Sequence, residues 1–164
     1  RLVDCPGTRL GPGDHTEALA RARDVTAVVL AAEQVGAAAH CLAATVAHTT
    51  QRVQFGQPIA RFQALQHRMA DLYVLVETAR SAVWAATRAA PAELPALAAV
   101  AKVHCCEVAQ QVAGEMIQLH GGIAITWEHQ AHRYFKRAHG AAQLLGQPAE
   151  HVARLGELWA ADRT

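Results

Sequence analysis

The sequence predicts an all-α domain, an up-down four-helix bundle in which the fourth helix is assembled from shorter pieces. After Asp14, every long segment repeats its apolar residues at intervals of three and four, the spacing of an α-helix with one buried face. Much of the apolar content is alanine, a strong helix former that lets helices approach closely. Glycines and prolines interrupt the periodicity between the long segments, so helices connected by short loops are expected.

The residues before the first helix predict a different kind of structure. Leu2 to Asp14 include two prolines and three glycines, and we interpret them as the end of a strand followed by a loop. Residues 1–18 are therefore predicted to be the tail of a preceding β-domain or a linker, and residues 19–164 the helical bundle. Because the chain begins at Arg1 without a methionine, we expect a fragment, a processed chain or an isolated domain.

The first helix is predicted to run to about Arg52, where Gly56 and Pro58 end it. Its apolar stripe is Val25, Val28, Ala32, Val35, Ala39, Leu42 and Val46. The second stripe alternates steps of three and four without a fault, as expected for a helix in an antiparallel bundle. It consists of Phe62, Leu65, Met69, Leu72, Val76, Ala79, Val83 and Ala86.

Pro91 and Pro95 bracket the connection to a third helix, which Gly121 and Gly122 end as C-cap glycines. Its stripe is Ala101, Cys105, Val108, Val112, Met116 and Leu119. In the last part of the chain, Thr126 is predicted to cap a short helix with Glu128 in its first turn, and Gly140 and Gly146 to interrupt the region. Pro148 suits the first turn of a final helix with Val152, Leu155, Leu158 and Trp159.

Composition excludes several classes of function. With 164 residues and 52% hydrophobic content, the chain fits one folded domain. A formal net charge of +1 gives no electrostatic case for nucleic acid, and no apolar run approaches the roughly 20 residues of a membrane span. We interpret the four cysteines as reduced thiols inside helices. Together with the lack of a visible signal peptide, they indicate a cytoplasmic location.

Two segments near helix ends combine polar side chains with glycine. Residues 52–63 read Arg-Val-Gln-Phe-Gly-Gln-Pro-Ile-Ala-Arg-Phe-Gln, and residues 118–122 read Gln-Leu-His-Gly-Gly. The guanidinium of Arg52 suits a pyrophosphate, Phe55 offers an apolar face, and Gln63 can hydrogen-bond a sugar or base. By position alone, Arg52 fits better as an ordinary cation at the C-terminal end of a helix dipole, and it is the neighbouring residues that favour the phosphate role.

From about Ala20 to about Gly146, the chain resembles the C-terminal helical domain of acyl-CoA dehydrogenases, which are FAD enzymes. The resemblance implies that Arg52, Gln54, Phe55 and Gln63 contact the adenosine diphosphate half of an FAD held mainly by another subunit. It implies that Gln118, Gly121 and Gly122 approach the same cofactor. It also implies a homo-oligomer or a homologous dehydrogenase partner, with acyl-CoA bound in the complete enzyme. Alone, the chain is expected to bind FAD weakly or not at all.

The chain departs from that family at the catalytic base, so no catalytic residue is assigned. Most members place a glutamate where this sequence has Leu145, and some place it near Thr26. Asp24 lies about 200° around the helix from Thr26 and is interpreted as a helix-dipole partner. Glu33 is interpreted as a surface or inter-helix polar residue. Glu128 matches a recurrent carboxylate of the family that is not the usual base.

Residues 121–129 resemble a branch of the family in which two different dehydrogenase-like subunits associate, and which includes enzymes for steroid side-chain thioesters. One function is therefore α,β-dehydrogenation of an acyl-CoA thioester by a larger flavoprotein. The alternative is a non-catalytic partner subunit, or a standalone helical interaction module derived from the family. The ten histidines do not indicate a metal site, because no Glu-x-x-His pair of the di-iron bundle type occurs.

Overall fold

The computed structural model describes residues 3–8 and 11–161, and within these ranges the fold is an all-α bundle. Its helices are α1 (Thr16–Gln51), α2 (Gln63–Thr87), α3 (Leu94–His120), α4 (Ala131–Ala142) and α5 (Pro148–Ala161). Two short antiparallel strands, β1 (Val53–Gln54) and β2 (Gln57–Pro58), join α1 to α2. The predicted fold class is confirmed. Residues 3–8 and 11–15 form no regular element, and the division of the chain at residue 18 stays a prediction.

Helix α1 has the predicted length but a different buried face. Of the predicted stripe, Val28, Val35 and Leu42 are buried, whereas Val25 and Val46 are exposed. The other half of the stripe is offset by one residue, because Asp24, Ala31, Ala38 and Thr45 are buried, each directly before Val25, Ala32, Ala39 or Val46. The full buried set is Asp24, Ala27, Val28, Leu30, Ala31, Gln34, Val35, Ala38, Cys41, Leu42, Thr45 and Thr49.

Helix α3 is the centre of the bundle. All six residues of its predicted stripe are buried, and the predicted residues of α2 are buried or half-buried, so both stripes are confirmed. Helix α3 also buries a second face, which carries Lys102, Cys106 and Ala109. The Nζ atom of the fully buried Lys102 donates to the carbonyl oxygens of Ala141 and Ala142, at 3.4 and 3.2 Å. This lysine thereby anchors the C-terminal end of α4.

The fourth part of the bundle begins later than predicted. Residues Gly121–Ile125 form a 3₁₀ turn, and α4 starts only at Ala131. The Thr126 hydroxyl donates to the Ile123 carbonyl at 2.8 Å and caps no helix, and Glu128 lies exposed in the loop before α4. Gly140 lies inside α4 and does not interrupt it.

Helix α5 begins at Pro148, as predicted. Leu155 and Leu158 are half-buried, but Val152 and Trp159 are exposed and do not belong to the core. The last helix therefore covers the bundle with a narrower apolar face than the sequence pattern predicts.

Helix α1 also corrects the expectation about apolar runs. By length and composition alone, it is apolar enough to cross a membrane, which the sequence analysis did not anticipate. Half of its most apolar 18-residue window is buried inside the fold. A helix in the core of a globular domain passes the same test, so this finding is weak evidence for membrane insertion.

The cysteines are free thiols. Cys41, Cys105 and Cys106 are buried in helices, as predicted, whereas Cys5 is exposed outside the helices. Burial raises the pKa of Cys41 and of Cys105 to about 12. These thiols are therefore protonated and unreactive at neutral pH.

Candidate functional site

The hairpin after α1 displays the first predicted segment. Arg52 is the C-cap of α1, and its carbonyl oxygen accepts from the Ile59 amide at 2.9 Å, which closes the loop. Phe55 and Gly56 have φ values of 52° and 78°. Positive φ at two consecutive residues is typical of a two-residue hairpin turn and holds the connection tightly.

The side chains of this segment point away from the bundle. Phe55 is 90% exposed and meets Phe62 edge-on, with ring centroids 6.1 Å apart. The Arg52 guanidinium is exposed and forms no ion pair with any residue that the structure describes. Gln63 is exposed at the first position of α2, while the Gln54 amide donates to the Val53 carbonyl at 2.9 Å. A charged, an aromatic and a polar group are thus open to an external ligand.

The second segment lies at the end of α3. Gln118 is exposed, and Gly121, with φ 67° and ψ −146°, ends the helix. A Cβ atom added to Gly122 would meet nothing within 4 Å, and its φ does not lie in the left-handed region. Neither packing nor backbone conformation requires glycine at Gly122. Its smallness fits the close approach of a group from outside the domain.

A column of imidazoles, formed by His48, His120 and His129, brings the two segments together. The rings of His48 and His120 stack with centroids 4.2 Å apart, and His120 meets His129 at 4.6 Å. His48 lies one turn before Arg52, and His120 directly precedes Gly121. The sequence analysis missed this column because the three histidines share no spacing along the chain. The available signal was that His120 lies within the second predicted segment and His48 lies one helical turn before the first.

A separate groove brings together the two positions at which the family resemblance implies a catalytic base. Thr26 and Leu145 line the same apolar groove of about 380 Å³ between α1 and the α4–α5 connection. Leu145 has a φ of 61°, which is uncommon for a residue with a large side chain. Neither position carries an ionisable group, so the groove cannot remove a proton through either of them.

Glu33, the carboxylate that lines this groove, is paired with Arg137. Glu33 accepts from Nε and from one terminal nitrogen of Arg137, at 2.8 and 2.9 Å. These hydrogen bonds lower the pKa of Glu33, which makes it a weaker base. The interpretation of Glu33 as an inter-helix polar residue agrees with this geometry.

Asp24 is also paired, and the sequence analysis assigned it the wrong partner. Helix α1 begins at Thr16, so Asp24 lies beyond its first turn and is not a helix-dipole partner. Its side chain is buried, and both of its oxygens accept from Arg154 of α5. The Asp24–Arg154 pair raises the pKa of the guanidinium and fixes α5 against α1.

Metal-ligand geometry was also sought. Within residues 3–8 and 11–161, no group of three or more His, Cys, Asp or Glu side chains is placed to hold a metal ion.

Comparison with known proteins identifies the family to which this chain belongs. Residues 17–155 match the family described as the C-terminal domain of acyl-CoA dehydrogenases. Acyl-CoA dehydrogenase IpdE2 of Mycobacterium tuberculosis is 56% identical over 137 residues, covering 83% of this chain and 42% of that protein. A solved variant of the Tcur3481–Tcur3483 steroid ACAD has a TM-score of 0.83 and 35% identity, covering 90% of this chain and 42% of that one. The ChsE4–ChsE5 complex from Mycobacterium tuberculosis has a TM-score of 0.79 and 28% identity, covering 88% of this chain and 40% of that one.

The bundle is thus the helical domain of a flavoprotein oxidoreductase family. The chain belongs to the acyl-CoA dehydrogenase family, in the region of its C-terminal domain. It spans less than half the length of these relatives, 42% in the case of IpdE2. The activity, substrate and partners of a complete enzyme are therefore matters for proposal.

Proposed function

We propose that this chain is the C-terminal domain of an FAD-dependent acyl-CoA dehydrogenase-like protein, supplying part of the FAD site and of an oligomer interface. The observation that carries this proposal is the set of exposed groups at Arg52, Phe55 and Gly122: within the described residues Arg52 has no ion-pair partner, Phe55 is 90% exposed, and no packing requires glycine at Gly122. Such groups fit a bound cofactor. FAD would supply the hydride acceptor for α,β-dehydrogenation, and this domain would supply binding and alignment.

Each residue of the site has a defined part in this proposal. Arg52 would pair with the pyrophosphate, because its planar fork matches phosphate oxygens. Phe55 would cover an apolar face, and Gln54 and Gln63 would hydrogen-bond the sugar or base. Gln118, Gly121 and Gly122 would form a second wall where the backbone comes close to the cofactor.

Calorimetric titration with FAD tests this proposal. We expect the isolated chain to bind FAD only weakly, since most of the site would lie on another domain or subunit, and a submicromolar affinity would contradict that view. In the complete assembly, Arg52→Gln should weaken FAD binding by about tenfold or more, because a charged hydrogen-bond partner is lost. Arg88→Gln is the matched control, since Arg88 follows the opposite end of α2 and stacks on Trp84.

A second candidate function is a partner subunit without a base of its own. The groove lined by Thr26 and Leu145 favours it, because Glu33 and Asp24 are both held by arginines. The test is the full-length subunit alone, loaded with FAD and mixed with acyl-CoA. We expect no flavin bleaching without a partner. Bleaching that Glu33→Gln or Asp24→Asn abolishes would place a base in this domain and overturn the candidate.

The relatives point to the kind of partner. The ChsE4–ChsE5 complex and the Tcur3481–Tcur3483 steroid ACAD each have two named components. We therefore propose a homologous dehydrogenase subunit, or a second copy, as the partner and a steroid-derived acyl-CoA as the substrate class. A cytoplasmic location is part of the same proposal. Co-expression with candidate partner subunits, followed by size-exclusion chromatography, would test the pairing.

A further inference from the structure

We propose that His48 is a further cofactor-binding residue, which takes up a proton when a diphosphate binds at Arg52 and so supplies a second positive charge. This inference rests on the proposed function, because it assumes that the pyrophosphate of FAD lies against Arg52. It adds a residue outside the segment that the family resemblance marks. It also adds a consequence, namely that cofactor affinity depends on pH.

The position of His48 supports this role. His48 and Arg52 are four residues apart at the end of α1, so their side chains lie on the same helix face, one turn from each other. The His48 ring is half-buried, and one of its faces is covered by His120 at 4.2 Å. Its ring nitrogens have no hydrogen-bond partner in the described part of the chain. A proton on His48 is therefore available to a ligand beside Arg52.

The other two imidazoles of the column are each hydrogen-bonded to the backbone. Nδ1 of His120 donates to the Met116 carbonyl at 2.7 Å, and Nδ1 of His129 accepts from the Ala131 amide at 3.2 Å. Each of these two rings thus has one nitrogen committed to a backbone partner, whereas neither nitrogen of His48 is committed within the described residues. The groups that act electrostatically on His48 are Arg52 at the end of its own helix, His120 of α3 and His129 from the loop before α4.

Without a ligand, this environment disfavours a charged His48. Burial lowers the pKa of His48, and His129 and Arg52 lower it further. A diphosphate bound at Arg52 would cancel the repulsion and add attraction, so the pKa of His48 would rise. A ligand that raises a pKa binds more tightly to the protonated protein. Affinity should consequently increase as the pH falls through the range in which His48 titrates.

The experiment uses ADP-ribose as the probe, because its diphosphate diester keeps a constant charge across the relevant range. Histidine resonances of the whole chain are followed by NMR at millimolar ADP-ribose. We expect the probe to raise the pKa of His48 by about one unit and to bind about tenfold more tightly at pH 5 than at pH 8. His104, which bonds Thr78 elsewhere in the bundle, is the internal control, and its resonances should not respond to the probe.

Two variants sharpen the test. His48→Gln should still bind the probe but lose the pH dependence, and His48→Lys should bind with similar affinity at both pH values because its charge is constant. If ADP-ribose perturbs the Arg52 and Gln63 amides but leaves the His48 titration unchanged, this inference is wrong and the proposed function stands. If no resonance responds even at millimolar probe, this inference is wrong, whereas the proposed function is decided by the effect of Arg52→Gln on FAD binding in the complete assembly.

Discussion

At the scale of single residues, the Asp24–Arg154 and Glu33–Arg137 pairs of α1 differ in burial and therefore in their contribution to stability. The Asp24 side chain is 4% exposed, whereas that of Glu33 is 40% exposed. Breaking a buried pair leaves an uncompensated charge and costs about 3–5 kcal/mol, while an exposed pair contributes about 1 kcal/mol or less. The buried pair thus stabilises the docking of α5, and the exposed pair mainly fixes side-chain positions at the groove.

We predict that Asp24→Asn lowers the free energy of unfolding by about 3 kcal/mol or more, because Arg154 is left without its counter-charge. Glu33→Gln is the matched variant on the same helix and should cost about 1 kcal/mol or less. Urea denaturation followed by circular dichroism measures both. Equal losses of unfolding free energy in the two variants would show that burial does not determine how much each pair contributes to stability.

The thiols provide a second prediction at this scale. In the native protein, Cys5 should react with a thiol reagent at neutral pH, whereas Cys41 and Cys105 should not, because burial raises their pKa to about 12. Peptide mapping by mass spectrometry after brief alkylation reads this out. Denatured protein, in which every cysteine becomes modified, is the control. Native labelling of Cys41 at the rate of Cys5 would contradict the described packing.

At the scale of elements, adjacent glycines at the end of α3 have different reasons to be glycine. Gly121→Ala should lower stability by about 1–3 kcal/mol, because its backbone conformation is nearly restricted to glycine. Gly122→Ala should change stability by about 0.5 kcal/mol or less, since its Cβ would enter open space, but it should weaken FAD binding. Thermal unfolding and FAD titration of both variants separate the two effects. A large stability loss in Gly122→Ala would remove the argument for an external ligand there.

The sequence predicted the buried face of a helix well where a single repeat of apolar residues dominated. The predicted stripes of α2 and α3 were correct because their apolar residues lie along one face that packs into the core, without polar residues between them. The stripe of α1 was half wrong because buried Thr45 and Thr49 satisfy their hydroxyls on carbonyls of their own helix, which no apolar pattern reveals. The start of α4 was misplaced because Thr126 bonds backward to Ile123.

For the candidate site, the sequence indicated the two segments that are proposed to contact a cofactor, but not what joins them. The segments are described by local residue types, which a sequence shows directly. The His48–His120–His129 column arises from three helix and loop ends that meet only in the folded chain. The pairing of Asp24 with Arg154 escaped prediction for the same reason, since the partners lie 130 residues apart.

At the scale of the whole molecule, buried histidines make stability depend on pH. Burial lowers the pKa of His48, His120 and His151. Below the ordinary value of about 6.5, the unfolded chain therefore binds more protons than the native protein, and stability falls as the pH decreases. Urea unfolding at pH 7.5 and pH 5.5 should show lower stability at the acidic value. His120→Gln should reduce this difference; an unchanged or reversed difference would contradict the assignment.

The surface between α1 and α2 predicts association. It is an apolar groove of about 500 Å³, lined by residues that include Leu42, Ala47 and Tyr73. An apolar groove open to solvent is a candidate site for contact with another protein surface. We predict self-association, or association with a homologous subunit, through this bundle surface. Ala47→Arg should abolish it, whereas Ala22→Arg, at an exposed position of α1 outside the groove, should not. Light scattering that shows a clean monomer at tens of micromolar, with no partner bound, would count heavily against the prediction.

The packing of α1 against α3 has a consequence for the synthesis of the protein on the ribosome. Helix α1 packs most extensively on α3, yet α3 ends at His120, long after α1 ends at Gln51. At synthesis rates of about 5–20 residues per second, the apolar face of α1 stays uncovered for several seconds after it leaves the ribosome. During that interval, chaperones have an apolar helix to bind, and a ribosome stalled before α3 would release an aggregation-prone chain.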